Sequence, residues 1–304
     1  MATTARKSTR IRETRGDRIF LTFVYAFLGL VVFLIGYPLV YILASSFSSS
    51  NAVLSGKVWL WPVHPTLLAY RAVFRYPEIW HSYLNSLIYT VAGTALTVVL
   101  TVMMAYPLSR RAFYGRRFFN WALIIAFMFN GGMIPFYLLV RDLGLLNTRL
   151  AIIIPSALNV FWVIIARTFF RRTIPEELSD AAQVDGCGDV RFLLSVVLPL
   201  SKPIIAVIAL LAAVYQWNSY FNALIFLNDP NLYPLQLVLR QVLVQGNVSA
   251  SAMALSPEQL QLFQAIQTLL KYSVIVVASV PMLLVYPLAQ RYFVKGTFIG
   301  SLKE

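Results

Sequence analysis

The residues best suited to chemistry in this chain are carboxylates gathered in one short polar stretch. Glu176, Glu177, Asp180, Asp185 and Asp189, five of the twelve acidic residues, fall between two long apolar segments of a chain that is 59% hydrophobic. A cluster of this kind serves either a reaction or electrostatic docking onto a basic surface. Acid–base catalysis or metal binding asks for histidine, cysteine or further carboxylates at suitable spacing. The two histidines, His64 and His81, lie far upstream, and the one cysteine, Cys187, stands alone. A lone cysteine also excludes an internal disulfide and fits a reducing compartment.

The neighbours of these acids describe a short helical turn-back. Pro175 fits a helix's first turn, where a missing N–H costs nothing. Glu176 and Glu177 suit the positive end of the helix dipole. Gly186 permits a sharp or left-handed turn, and Pro199 ends a second helix or starts the next segment. An acidic amphipathic loop without a partner has the same local features.

Long apolar segments must position this loop. Only 12% of residues are charged, and the mean hydropathy is +0.71, which places the chain among polytopic membrane proteins. A spanning helix needs about 20 apolar residues. Segments near 19–44, 83–108, 119–140, 150–170, 203–227 and 264–289 qualify, so the expected fold is all-α with six transmembrane helices. Unbroken apolar runs without period-two alternation exclude a β-barrel. The net charge of +13 is unevenly spread. If the helices alternate, one side receives Arg6, Lys7, Arg10, Arg12, Arg15 and Arg18, then Arg110, Arg111, Arg116 and Arg117. The same side receives Arg167, Arg171, Arg172, Arg191 and Lys202, and finally Arg291, Lys295 and Lys303. The positive-inside rule puts both termini and the acidic loop in the cytoplasm, with the basic surplus facing lipid head groups rather than nucleic acid. The basic start is followed by an apolar run too long for a signal-peptide core, so a retained first helix is expected. The expected organisation is a cytoplasmic tail over 1–18, a first helix and outer segment over 19–80, a core over 81–290 with the loop at about 171–202, and a second cytoplasmic tail over 291–304. Ser55-Gly56-Lys57 lacks the first glycine and the final Ser/Thr of a phosphate-binding loop, so nucleotide hydrolysis by this chain is not expected.

The spacing Asp180-Ala181-Ala182, three residues, Gly186, nine residues, Val196, one residue, Leu198-Pro199 resembles the loop that marks permeases of binding-protein-dependent ABC importers. Asp180 stands where that family has Glu, one methylene shorter. Asn85-Ser86, Ala105 to Arg110, Gly132 to Pro135, Leu143 to Asn147, Trp217-Asn218 and the ending Gln290 to Gly296 are similar to sugar-type permeases, and within them to the maltose-importer class. The resemblance covers roughly 80–300.

It implies a type I importer half with no catalytic residue, no metal site and no cofactor of its own. ATP and Mg²⁺ would be held by two partner ATPases. A second permease would complete the pore, an extracytoplasmic solute-binding protein would deliver the sugar, and the location would be the bacterial inner membrane. Glu177, Asp180, Ala181, Ala182, Asp185 and Gly186 are then the expected ATPase-docking residues. Trp217, Asn218, Tyr220 and Asn222, with Asn130, are pore or substrate candidates, because aromatic faces stack on sugar rings and amides bind hydroxyls; helix packing explains them equally. Lys271, a charge inside the last helix, is a further candidate, with snorkelling as its plain alternative. Leu235 to Gly246 reads as an amphipathic surface helix whose Arg240, Gln241 and Gln245 would contact the binding protein. The expected cargo is an oligosaccharide, with acidic ones from alginate or pectin attractive. A membrane-embedded glycosyl- or phosphotransferase and a stand-alone secondary transporter remain as alternatives.

Overall fold

Helix lengths here follow from where prolines, glycines and asparagines interrupt apolar sequence. The computed structural model describes residues 14–129, 131–245 and 257–301. The helices are α1 Arg15–Ser46, α2 Ser50–Leu54, α3 Leu68–Arg75, α4 Pro77–Ser109, α5 Arg116–Met128, α6 Met133–Asp142, α7 Leu150–Ile153 and α8 Val160–Thr173. They continue as α9 Glu176–Val184, α10 Asp189–Phe192, α11 Leu198–Leu200, α12 Lys202–Trp217, α13 Phe221–Phe226, α14 Leu235–Gln245 and α15 Pro257–Ser301. A π-helical turn, Leu193–Val197, joins α10 to α11. Among the described residues there is no strand, so the chain is all-α.

The axis of the molecule is α4. Its 33 residues span about 50 Å at 1.5 Å per residue, more than the ~30 Å hydrocarbon core, so its two ends lie on opposite membrane faces. Ser82, Ser86, Thr90, Thr97 and Thr101 are all buried and recur four or seven residues apart. They form a stripe of small side chains along which α8 and α12 pack. The closest approach is at Gly93, where an added Cβ would collide with the Gln216 side chain of α12. Gln216 in turn donates to Ser156 Oγ at 2.7 Å, giving the buried amide one partner inside the bundle.

Among the described residues, three helices are long and apolar enough to cross a membrane: α1, α4 and the Ala265–Pro287 part of α15. The count rises to five among the described residues if two bent pairs, α5 with α6 and Asp189–Leu200 with α12, are each one span. The expected single helix over 119–140 is therefore two, with Gly132 at φ +84° between them. The expected helix over 150–170 is broken after Ile153, and α8 restarts where Asn159 Oδ1 caps Phe161 N at 3.0 Å. The expected helix over 203–227 stops at Trp217, where Asn218 Nδ2 folds back onto Val214 O at 2.8 Å. The six-span count thus does not follow from helix length alone. At the other extreme, α15 continues to Ser301, past the point where a tail was expected.

α1 lies on the outside of the bundle. Its spanning window has no buried residue, and it touches α15 where Tyr41 meets Tyr272 edge-on at 6.1 Å. The core divides between the two ends of α4. Tyr106, Phe170, Ile174, Phe192, Val197 and Ile208 pack together at its Ser109 end. Toward its Pro77 end, Val73, Ile79, Trp217, Leu235, Leu270 and Val274 form a second cluster.

Candidate functional site

The acidic stretch folds as two short helices around a glycine. α9 runs from Glu176, and its C-terminus closes with Gly186 N donating to Gln183 O at 3.0 Å and Cys187 N to Ala182 O at 2.8 Å. Gly186 sits at φ +74°, a left-handed conformation that costs glycine little and a side-chain-bearing residue more. After α10 and the π-turn, the chain bends by 81° into α12 around the buried Ser201. The loop is thus joined at both ends to packed helices, α8 and α12.

What the loop does not do is bury itself. α9 has no buried residue; Val184 is 88% exposed and Val190 71%, a high value for apolar side chains beside a well-packed core. Glu177, Ala181, Asp180, Asp185 and Gly186 are exposed, while Ala182 is half-buried against the core below. Among the described residues, Glu176 alone of the loop acids has an ion-pair partner, Arg111 Nε at 3.1 Å. Glu177, Asp180 and Asp185 are not paired with any basic group of the described residues. Arg110, Arg111, Arg171, Glu176 and Glu177 line a cleft of about 260 Å³ beside the helix start. Cys187 is half-buried against the core, a less open position than the loop's sequence suggests.

In the sequence Arg110 belongs to the basic, permease-like end of the second span, and its contacts come only from the fold. Its guanidinium carbon lies 5.1 Å from the ring centre of Tyr106 on α4 and 4.9 Å from that of Phe192 on α10. Its Nε and Nη2 are buried without a hydrogen-bond acceptor among the described residues; the two ring faces take that place. Arg110 therefore ties the second loop helix to the end of α4. The arginine is visible in sequence, but its partner Phe192 is brought to it only by the fold.

At the opposite end of α4 several side chains bond the adjoining connection. Asn85 Nδ2 donates to Asn231 O at 2.7 Å and Tyr233 O at 3.2 Å, and Tyr89 OH to Leu232 O at 2.8 Å. Ser86 Oγ accepts from Leu235 N at 2.8 Å. Asn147, itself left-handed at φ +57°, accepts at Oδ1 from Asn228 N at 3.0 Å and Asp229 N at 2.8 Å. Asn85, Ser86 and Asn147 thus clamp the connection that leads into α14. α14 forms over nearly the expected residues, and Leu235 and Leu237 are buried, so it is packed onto α4 and α15 rather than loosely laid on a surface.

Of the remaining candidates, Trp217 and Asn218 border one cavity and the other described ones lie apart from it. Trp217 is 2% exposed and donates its indole N–H to Ala278 O at 3.0 Å, a helix-packing position. Asn218 is exposed and borders a cavity of about 430 Å³ with Gln236, Ser279 and Tyr286. Tyr220 is exposed and Asn222 half-buried. Lys271 is half-buried on α15. Arg240 and Gln241 are half-buried, and Gln241 borders a cavity of about 540 Å³ with Glu78, His81 and Asn231. Gln245 is the last residue of α14. Asn130 lies outside the described residues. No group of three or more His, Cys, Asp or Glu able to hold a metal occurs among the described residues.

The molecule is a bundle of apolar helices with an exposed acidic turn at one end. Residues 97–299 match the family described as "Binding-protein-dependent transport system inner membrane component", and the chain belongs to that family. It is 40% identical over 292 residues to the polygalacturonan/rhamnogalacturonan transport system permease YtcP of Bacillus subtilis (strain 168), covering 94% of this chain and 99% of that one. It is also 40% identical to protein LplC of the same organism, over 96% of this chain and 98% of the other. Among solved structures it is similar to a bacterial ABC transporter involved in import of the acidic polysaccharide alginate. There the TM-score is 0.86 and the identity 37%, covering 93% of this chain and 99% of that one. The chain is therefore a multi-pass membrane permease of an ABC transport system, a transport subunit.

Proposed function

We propose that this chain is one half of the translocation pore of an ATP-driven importer of acidic oligosaccharides. A second permease completes the pore, and an extracytoplasmic solute-binding protein delivers the cargo at the Pro77 end of α4. Two ATPases bind ATP and Mg²⁺ on the cytoplasmic side, one docking on the α9–α10 loop, and both chain termini lie on that side. The observation that carries the reading is the loop itself: a rigid, left-handed turn with exposed valines and carboxylates unpaired within the described chain. Such a surface is suited to a cleft with apolar walls and basic groups. Glu177, Asp180 and Asp185 would pair with those groups, Ala181 and Gly186 would allow close backbone approach, and Ala182 would seat the helix on its own core. Closure of the ATPases on ATP would push the loop as a body, and the attachment of α10 to α4 through Arg110 would carry that push into the pore helix rather than absorb it. Similarity to a polygalacturonan/rhamnogalacturonan permease and to an alginate importer supports the acidic cargo. Asn218, Tyr220, Asn222 and Lys271 are the proposed pore-side groups, and Arg240, Gln241 and Gln245 the proposed contacts with the binding protein.

The test is reconstitution of the chain with its partner permease, ATPases and binding protein in vesicles, followed by uptake of labelled uronate and neutral oligosaccharides. Uptake of the uronates that needs both ATP and the binding protein is expected. Uptake by this chain alone, or a purified complex without an ATPase, would contradict the proposal and favour a secondary transporter or a membrane enzyme.

A further inference from the structure

At the acidic-loop end, the bundle carries a second charged feature that the docking loop does not use. The first turns of α5 present Arg116, Arg117, Asn120, Trp121 and Ile124 around a cavity of about 210 Å³. Arg167 reaches the same place from α8 and donates from Nη1 to Asn120 Oδ1. Arg167 is half-buried, and it feels the positive charges of Arg171 and Arg116. Among the described residues no carboxylate pairs with any of these four arginines; the ion pairs present are Arg111–Glu176 and Arg141–Asp142. Like charges held together, one of them half out of water, repel one another unless an anion joins them.

The surroundings indicate which anion. Next to the arginines on α5, Phe118 is 72% exposed, and Trp121, Ile124 and Ile125 are also exposed. Basic groups thus sit one turn from a bare aromatic and aliphatic surface on a membrane-spanning bundle. An aromatic belt with arginines at the same level is the composition of the head-group layer, with hydrocarbon below it. A guanidinium recognises phosphate through paired N–H donors, and a free phosphate would have no use for the adjoining apolar surface.

We propose that Arg116, Arg117 and Arg167, with Asn120 and Trp121, bind the phosphodiester head group of an anionic phospholipid in the leaflet next to the acidic loop. Arg167 is held in place by Asn120, Arg116 and Arg117 supply further charge, and Trp121 and Phe118 flank the start of the acyl chains. The site would fix the α5–α8 pair at the level of the membrane surface beside the docking loop. This proposal rests on the membrane reading of the fold and not on the nature of the cargo or the ATPase contact.

The experiment uses the whole transporter complex in nanodiscs of phosphatidylcholine containing phosphatidylglycerol, with lipid retained after detergent extraction counted by mass spectrometry. Retention of phosphatidylglycerol over phosphatidylcholine is expected. Arg167→Gln and Arg116→Gln should each weaken it about fivefold, the effect of one basic group at an anionic surface. Arg75→Gln, an exposed arginine at the other end of the bundle, should leave it unchanged. Thermal melting in pure phosphatidylcholine checks that each variant is folded, and Arg167→Lys, which keeps the charge, serves as a milder second variant with partial loss. Inorganic phosphate at matching concentration should not displace the lipid or raise the melting temperature. Equal retention by wild type and both glutamine variants would overturn the proposal. So would protection by inorganic phosphate alone, which would mark a free-phosphate site. Loss of the second permease from the variants with lipid retention intact would also overturn it, making this face a permease–permease contact.

Discussion

At its Pro77 end, α4 meets a connection whose backbone groups are bonded by Asn85, Ser86, Tyr89 and Asn147 of the same chain. At its Ser109 end it meets a loop of nearly the same polarity whose first helix buries nothing. Its acids, apart from Glu176, have no ion pair within the described residues. Both regions are polar and both cap the same bundle, yet only at the first do side chains of the same chain bond the adjoining connection. Because buried polar groups are nearly always bonded and exposed apolar ones are expensive to leave in patches, the clamp at the first end is scaffold, and the bare loop at the second is the surface we propose for the ATPase. Polarity by itself does not mark a binding surface; polarity that the chain leaves unanswered does.

That contrast can be broken from the scaffold side first. Gly93→Leu forces a side chain into Gln216 and should cost about 3 kcal/mol of stability by overpacking, read as a lower melting temperature of the purified complex. Pairing it with Gln216→Ala should recover part of the loss; no recovery would mean that the α4–α12 approach is not the cause. Next in size is Asn147→Ala, which removes the acceptor for Asn228 N and Asp229 N and should cost about 2 kcal/mol. ATPase retention in a pull-down should not change. If the ATPase were lost, the two ends would not be separable in the way argued here.

At the loop end, smaller stability effects should accompany larger functional ones. Arg110→Ala removes two cation–π contacts, worth about 1–2 kcal/mol together, and should leave ATPase binding intact while lowering sugar moved per ATP hydrolysed. Arg110→Lys should fall between the two, and unaltered coupling in both variants would remove Arg110 from the proposed path of force. The smallest effect belongs to Glu176→Gln. Its ion pair with Arg111 has side chains 45% and 71% exposed and is worth under about 1 kcal/mol, so melting and uptake should stay near wild type.

Much of this arrangement is legible in the residues. The acidic turn could be read because its signals are local: Pro175 at the start, Gly186 at the bend, acids between. The last helix of the outer connection was legible for the same reason, its apolar spacing lying within Leu235–Gln245. Helix breaks were less so. Hydropathy averages over Gly132, Pro155 and Asn218, so three segments that are interrupted in the fold read as continuous spans. Asn85, Ser86 and Asn147 stood out as permease-like, but their clamp was not legible, since Asn85 finds Asn231 across 146 positions and Asn147 finds Asn228 across 81. Trp217 illustrates the limit from the other side: an aromatic residue suited to a sugar ring is equally suited to the core, and it both donates its indole N–H to Ala278 O and borders the cavity next to Asn218.

The central claim, that the α9–α10 loop seats an ATPase, is tested most directly at Val184, the loop's most exposed apolar residue. Val184→Cys in a Cys187→Ser background, co-expressed with the ATPase carrying single cysteines along its docking cleft, should give a disulfide crosslink whose yield changes when ATP is added. A Val184→Cys thiol that reacts freely with a water-soluble maleimide in the assembled complex, and crosslinks to the ATPase at no cleft position with or without ATP, would contradict the account.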